Sequence, residues 1–487
     1  MAIGFNSIPL DLRTPGVFVE FDASRASRGL PVVPHTVLLF GQKLAAGAAA
    51  TGVPLPIRTR DEAVAAFGRG SMLERMFKAF KANDALSSTY AIALPDAGGA
   101  VAATKTVTIT GPATAAGALA LQIAGQRKVV AVANEATATQ VAALIVAAVT
   151  AAPDLPVTAA NVAGVVTLTA RHPGAAGSGI DVRLGDQISD AVPAGLTVAF
   201  AAGVAGAANP DISAVFTAIG DMAFSAFVCP YSDADNLEVL EGALLTRWGP
   251  MKAIDGLGYA AASGNYAALA ALGAARNSPF DTIIGARGLP SPMWEFAAAY
   301  GAQVGFAGAV DPARPFQTLP LIGIVPPSIT DQFTQSERDA LLRDGISTFT
   351  VQGGVCVIER AITTYQVNGL GVADTAWLDV NTPLTLSALR YTLRSRISSK
   401  YSRHKLVSDT TVIPAGQAMT NPKGLRSEVI AWYQDCIGLG WVEDLETFKA
   451  QLVLERDVTD PNRVNALIPP DLVNQLRVFA AVTQFAL

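Results

Sequence analysis

Between Tyr90 and Phe200 the chain contains no Phe, Trp or Tyr. Aromatic rings supply the largest buried areas in protein cores, so this stretch can only build a small, thin core from Ala, Val, Thr and Gly. Residues 106–110 and 166–169 alternate like strands, and 137–149 reads as a helix ended by Pro153. The stretch is entered through Gly98-Gly99 and left between Gly203 and Pro210. Residues 100–203 are therefore expected to form an inserted α+β module.

The flanking sequence has a different texture. Residues 35–40 suggest a strand, and 61–67 and 72–81 suggest helices. From Asp211 onward short apolar runs at 224–229, 251–254, 282–284 and 321–325 alternate with helical patterns at 236–248, 265–276, 294–304 and 336–342. Short buried strands alternating with helices imply an α/β core with a mixed, largely parallel sheet and helices on both faces. Residues 347–351 and 355–362, joined by Gly353-Gly354, read as a hairpin. After Thr382-Pro383 comes a long helix with Thr385 as its cap and Leu386, Leu389, Leu393, Ile397 and Tyr401 as its apolar stripe. From 381 to 426 there are eight Lys or Arg and one acid, Asp409. In a chain of net charge −5, such a run reads either as a solvated face or as a docking strip for an acidic protein.

Chemistry is sparse. The three histidines, His35, His172 and His404, form no HExxH pair, and His172 with its neighbouring glycines reads as a turn. There is no GxSxG elbow and no phosphate-binding GxxxxGK[ST] loop. Gly256-Leu257-Gly258-Tyr259-Ala260-Ala261 fits a loose GxGxxA, but Asp281 stands at the start of the next strand, where it cannot hold a ribose; a strand-to-helix turn is the plainer reading. Cys229, Cys356 and Cys436 are unpatterned, which suits a reducing compartment. No catalytic residue, metal or cofactor is expected. Neither nucleic acid contact nor stable membrane insertion is expected, because the chain is net acidic and no apolar run approaches the ~20 residues of a spanning helix. The opening ten residues have no basic lead or apolar block, so no secretory leader is expected.

The two ends are apolar and extended. Pro9, Pro15, Pro31 and Pro34 bar a helix from the first 34 residues, which hold a strand signal at Val17, Phe18, Val19, Glu20 and Phe21. The last 13 residues carry Val478, Phe479, Val482 and Phe485 in a strand-like tail without a partner nearby in sequence. Free strands of this kind are aggregation hazards unless another sheet takes them up.

Thr14-Pro15-Gly16-Val17-Phe18-Val19-Glu20 resembles the opening of contractile phage tail sheath proteins. The Mu-like branch is resembled further by Leu386-Ser387-Ala388-Leu389-Arg390-Tyr391, by Lys400-Tyr401-Ser402-Arg403-His404-Lys405-Leu406, by Asp460-Pro461-Asn462-Arg463, and by Pro469-Pro470-Asp471-Leu472-Val473-Asn474-Gln475. Within the insertion, 169–174 and 179–182 resemble the module such sheaths carry. The resemblance implies a structural subunit and no enzyme: a discontinuous α/β core from the N- and C-terminal parts, an outward-facing insertion, hexameric rings stacked helically around an inner tube, and contraction triggered by the baseplate. It implies an arm at 1–34, a first core part at 35–99, the module at 100–203, a sheath domain at 204–380, a tube-facing C-terminal domain at 381–474 and a strand arm at 475–487. Arg390, Arg394, Lys400 and Arg403 would face the tube. Implied partners are further copies of the chain, the inner tube protein, and baseplate and tail terminator proteins, in a virion assembled in the host cytoplasm. The sheath of a contractile secretion system or bacteriocin-like particle is the nearest alternative. An α/β nucleotide-binding enzyme using the Gly256 segment, and an adhesin or capsid decoration resting on the insertion, are the alternatives from other classes.

Overall fold

The computed structural model describes residues 14–17, 19, 30–187, 189–414 and 416–485. Two compact units divide the chain, one holding 34–388 with 474–487 and the other 1–33 with 389–473.

The large unit begins with β1 (Thr36–Gln42), whose Val37, Leu38, Leu39 and Phe40 are completely buried, as a strand covered on both faces requires. Then follow β2 (Pro54–Pro56), α1 (Arg60–Phe67), α2 (Met72–Asn83) and β3 (Ser88–Leu94). A capping box starts α1: the Thr59 hydroxyl accepts from the Glu62 backbone N–H while the Glu62 carboxylate accepts from that of Thr59.

Residues 102–202 form two small sheets and one α-helix among the described residues. Their elements are β4 (Ala102–Thr110), β5 (Gly117–Ile123), β6 (Gln126–Val132), α3 (Ala138–Thr150), β7 (Val157–Val162), β8 (Val165–Pro173), β9 (Val182–Leu184) and β10 (Thr197–Ala202). They form a four-stranded sheet ordered β10-β4-β8-β7 and a three-stranded sheet ordered β6-β5-β9, and α3 packs on both. Val107, Leu119, Leu121, Val141, Ile145 and Leu168 fill the core without a ring among them.

The chain then returns through α4 (Ser213–Ile219), β11 (Ala226–Val228), α5 (Ala234–Trp248), β12 (Leu257–Ser263), α6 (Tyr266–Ala274), β13 (Asp281–Ala286) and α7 (Met293–Val310). The main sheet is ordered β13-β12-β11-β1-β3-β2 and is parallel except for β2. Helices α2 and α7 cover one face, α5 and α6 the other. Small residues allow the close approach: a Cβ added to Gly301 of α7 would lie 3.1 Å from both Tyr259 Cβ and Val228 Cγ2. The second strand of the repeat is thus β12, built mostly of small residues and Tyr259, and not the run at 251–254, which is a turn; residues 321–325 likewise form no strand, and Pro320 makes only a bridge to Val357.

After α8 (Gln335–Arg343), β14 (Thr348–Gln352) and β15 (Val355–Arg360) form the expected hairpin. Gly353 (φ 57°) and Gly354 (φ 78°) supply the two left-handed positions of a tight turn whose twist matches the strands. The long helix α9 (Asn381–Tyr401) begins ahead of the expected cap, and Thr385 is buried within it. Pro383 sits in its first turn, where no backbone donor is needed, so the proline does not mark a boundary.

In the small unit, which takes α9 from Leu389, the elements are β16 (Lys405–Leu406), β17 (Met419–Thr420), α10 (Pro422–Gly438), α11 (Leu445–Gln451), β18 (Val453–Arg456) and β19 (Val464–Leu467). The Trp432 indole donates to the Thr392 hydroxyl at 3.1 Å, and the Tyr433 ring stacks on Phe448.

The module is locked to the core by charge. The Asp154 carboxylate accepts from Arg69 at 2.6 Å and from Arg60 at 3.1 Å, and the Arg75 guanidinium bridges the Asp154 carbonyl and Glu295. Burial alone would push the Asp154 carboxyl up, but the two arginines outweigh it and hold it at about 2. With a folded pKa below the unfolded value near 3.8, this pairing stabilises the docked module above about pH 4 and is lost as pH falls through about 2. Amide exchange across 153–156 should therefore accelerate in that window, and D154N should show the faster exchange already at neutral pH.

Candidate assembly site

The parallel sheet has one place where an α/β enzyme would bind a ligand: the carboxyl ends of β1 and β11, between which the strand order reverses. Here the protein fills it with itself. The Gln42 carboxamide at the end of β1 donates to Asp96 Oδ1 and to the Pro173 carbonyl, both at 2.7 Å, and Tyr231 O–H donates to Gln42 Oε1 at 3.4 Å. His172 is buried in this plug at the end of β8, where its Nε2 accepts the Met72 backbone N–H at 3.0 Å. It is not the turn residue expected from its glycine neighbours, and burial pushes its pKa down to about 4. The GxGxxA run offers no loop either. Leu257 to Ala262 are all buried within β12, and a Cβ on Gly256 would meet the Phe224 carbonyl at 2.5 Å.

The arms are different. Val17 and Val19 are 95% and 72% exposed, while Phe18, Glu20 and Phe21 lie outside the described residues. Residues 474–485 form no strand, and Val478, Phe479, Val482 and Phe485 are each at least 80% exposed. Their root is fixed by Arg477, which donates to Asp379 at 3.0 Å and Asn381 at 2.9 Å, with Asp379 also held by Arg360 at 3.0 Å. Sequence reasoning passed over Arg477, although it is the one charged residue after Asp471.

A second exposed element lies in the small unit. β18 and β19 form a two-stranded sheet whose outer edges are unpaired among the described residues. Isolated hairpins are marginal, and a third or fourth strand is what gives such a sheet its stability.

The basic helix is partly neutralised from within. Arg394, Lys400 and Arg403 are exposed and Arg390 is half-buried. Lys400 pairs with Glu428, which also accepts from Arg396 at 2.6 Å, and Arg396 reaches on to Asp435. Both acids stand on α10, just past the window in which the positive charges were counted. Burial works against the charge on Glu428, yet the hydrogen bonds from Lys400 and Arg396 hold its carboxyl below the usual range. Glu428→Ala should destabilise the small unit by about 2 kcal/mol in urea unfolding, because Arg396 loses a charged acceptor, whereas K400A should cost under about 1 kcal/mol.

The chain matches the family descriptions "Phage tail sheath protein central domain" over 205–364 and "Phage tail sheath C-terminal domain" over 372–486. It is 40% identical, over the whole length of both chains, to the Mu-like prophage FluMu tail sheath protein of Haemophilus influenzae (strain ATCC 51907 / DSM 11121 / KW20 / Rd). Among solved structures it is similar to a chain of the anti-feeding prophage baseplate, with a TM-score of 0.51, 11% identity, and coverage of 98% of this chain and 100% of that one. This second likeness bears on the fold, which is mixed α/β. Full-length identity at that level leads to one conclusion: the chain belongs to the Mu-like contractile tail sheath family, and it is a structural protein and not an enzyme.

Proposed function

We propose that this protein polymerises as stacked hexameric rings around an inner tail tube and contracts to drive the tube through the host envelope. In this reading the N- and C-terminal parts together make one discontinuous sheath core, the module at 100–203 faces outward, and 381–474 faces the tube. The baseplate and the tail terminator bound the polymer, which assembles in the host cytoplasm before it becomes part of the virion.

The observations that carry this reading are the exposed apolar residues of the two arms and, separately, an incomplete hairpin. Val17 and Val19 of the N-terminal arm and Val478, Phe479, Val482 and Phe485 of the C-terminal arm are apolar and exposed, and residues 474–485 pair with no strand among the described residues. The β18–β19 hairpin has edges to offer. Donating arms to a neighbour's hairpin removes both hazards, at about 1 kcal/mol net for each backbone hydrogen bond gained. Each junction is modest, but it repeats throughout the polymer. The arms therefore hold neighbours together while the cores re-pack between two states. Contact with the tube is made differently, through Arg390, Arg394, Lys400 and Arg403. Exposed ion pairs are worth ~1 kcal/mol or less each and are screened by salt, so the sheath can let go of the tube without falling apart.

Two outcomes are expected. Deletion of either arm, 1–21 or 476–487, should abolish tubes in negative-stain electron microscopy while leaving a folded monomer; tubes formed without an arm would refute the strand mesh. Arg390, Arg394 and Arg403 changed together to Glu should leave self-assembly intact and abolish co-sedimentation with the inner tube protein at low salt.

A further inference from the structure

The module carries two open sheet edges. In the order β10-β4-β8-β7 every neighbouring pair is antiparallel, so β10 and β7, at opposite edges, run in opposite directions. Neither outer edge is paired among the described residues. On β10, Thr197, Ala199, Phe200, Ala201 and Ala202 are exposed; on β7, Thr158, Ala160 and Val162 are. Neither strand contains a charge or a proline, and neither ladder is broken by a bulge. Lone domains blunt such edges with Lys, Pro, bulges or very short strands. This chain does so elsewhere: the edge strand β2 of the main sheet is three residues long, and two of them are proline.

We propose that β10 of one copy pairs with β7 of a second copy, so that the modules of successive subunits join into one continuous antiparallel sheet. Strand direction favours this arrangement. With an even number of alternating strands, a copy shifted sideways presents β7 against β10 in the antiparallel sense. The contact is head-to-tail and does not close on itself, as a helical polymer requires, whereas β10 against β10 would close into a pair. The faces match as well. The inward residues Val198 and Phe200 of β10 come beside Val157 and Ala159 of β7, and Phe200, 37% exposed in the single chain, is covered. Strands lie about 4.8 Å apart, so four of them set a module repeat of about 19 Å along the sheet. The contact rests on the reading that the chain polymerises, and it adds to the arms a second tie that forms only where the packing brings modules that close.

The test uses the full-length protein. A199K/A201K places charge on the β10 edge and T158E/A160E places it on the β7 edge, all at exposed positions. Each double variant should still assemble through the arms, but its tubes should dissociate at a lower urea concentration, read by light scattering. The four substitutions combined should restore the original midpoint, because Lys on one copy then meets Glu on the next; within one chain the edges are about 14 Å apart, three strand spacings. A cryo-electron-microscopy reconstruction of unmodified tubes should show strands continuous from module to module. Unchanged midpoints in both double variants, loss without restoration in the combination, or separate modules in the reconstruction would overturn the edge contact while leaving the sheath reading standing. Failure of the unmodified protein to form tubes would overturn the sheath reading and the edge contact together.

Discussion

One buried carboxamide ties the large unit together. Gln42 stands at the end of the central strand and is 1% exposed, and its two donated bonds reach Asp96, just before the insertion, and Pro173, deep inside it. A polar group so buried must be satisfied, and here the partners that satisfy it are segments far apart in sequence. Without the module, Gln42 and the end of β1 would open onto the crevice in which doubly wound proteins hold ligands. With it, the crevice is closed by His172, Pro173 and Tyr231. The same contact thus anchors the insertion and fills that crevice.

Fixing the module this way leaves the molecule with two kinds of surface. The main sheet is finished, with helices over both faces and a proline-bearing edge strand. The arms, the β18–β19 hairpin and the module edges are unfinished: they present apolar side chains or unpaired backbone to water. In a monomer these are liabilities. On the proposed assembly each is taken up by another copy, and stability comes from repetition of modest contacts.

Much of this architecture is legible in the sequence because its signals are local. The helical periodicities locate α1, α2, α5 and α7, and Gly353-Gly354 marks a turn. What escapes is set by partners distant in the chain. β12 is hard to see because Leu257–Ser263 consists mostly of small residues, chosen by the close approach of Gly301 and of Leu240 and Leu244, and not by strand propensity. The charge strip looked unopposed because Glu428 and Asp435 arrive on a later helix. His172 looked like a turn residue because glycines surround it, and its burial depends on Met72, a hundred positions earlier. The arms could be picked out from composition, but the clamp at Arg477 depends on Asp379, which no local pattern connects to it.

That clamp sets a length. Arg477 is pinned to the large unit and Phe485 is eight residues further on. A fully extended chain gains at most about 3.3–3.6 Å per residue, so the tail is a leash of about 26–29 Å. A neighbour that grips its far end can slide or turn through any path inside that radius without the junction opening. On the proposed assembly, that leash limits how far one subunit can move past the next.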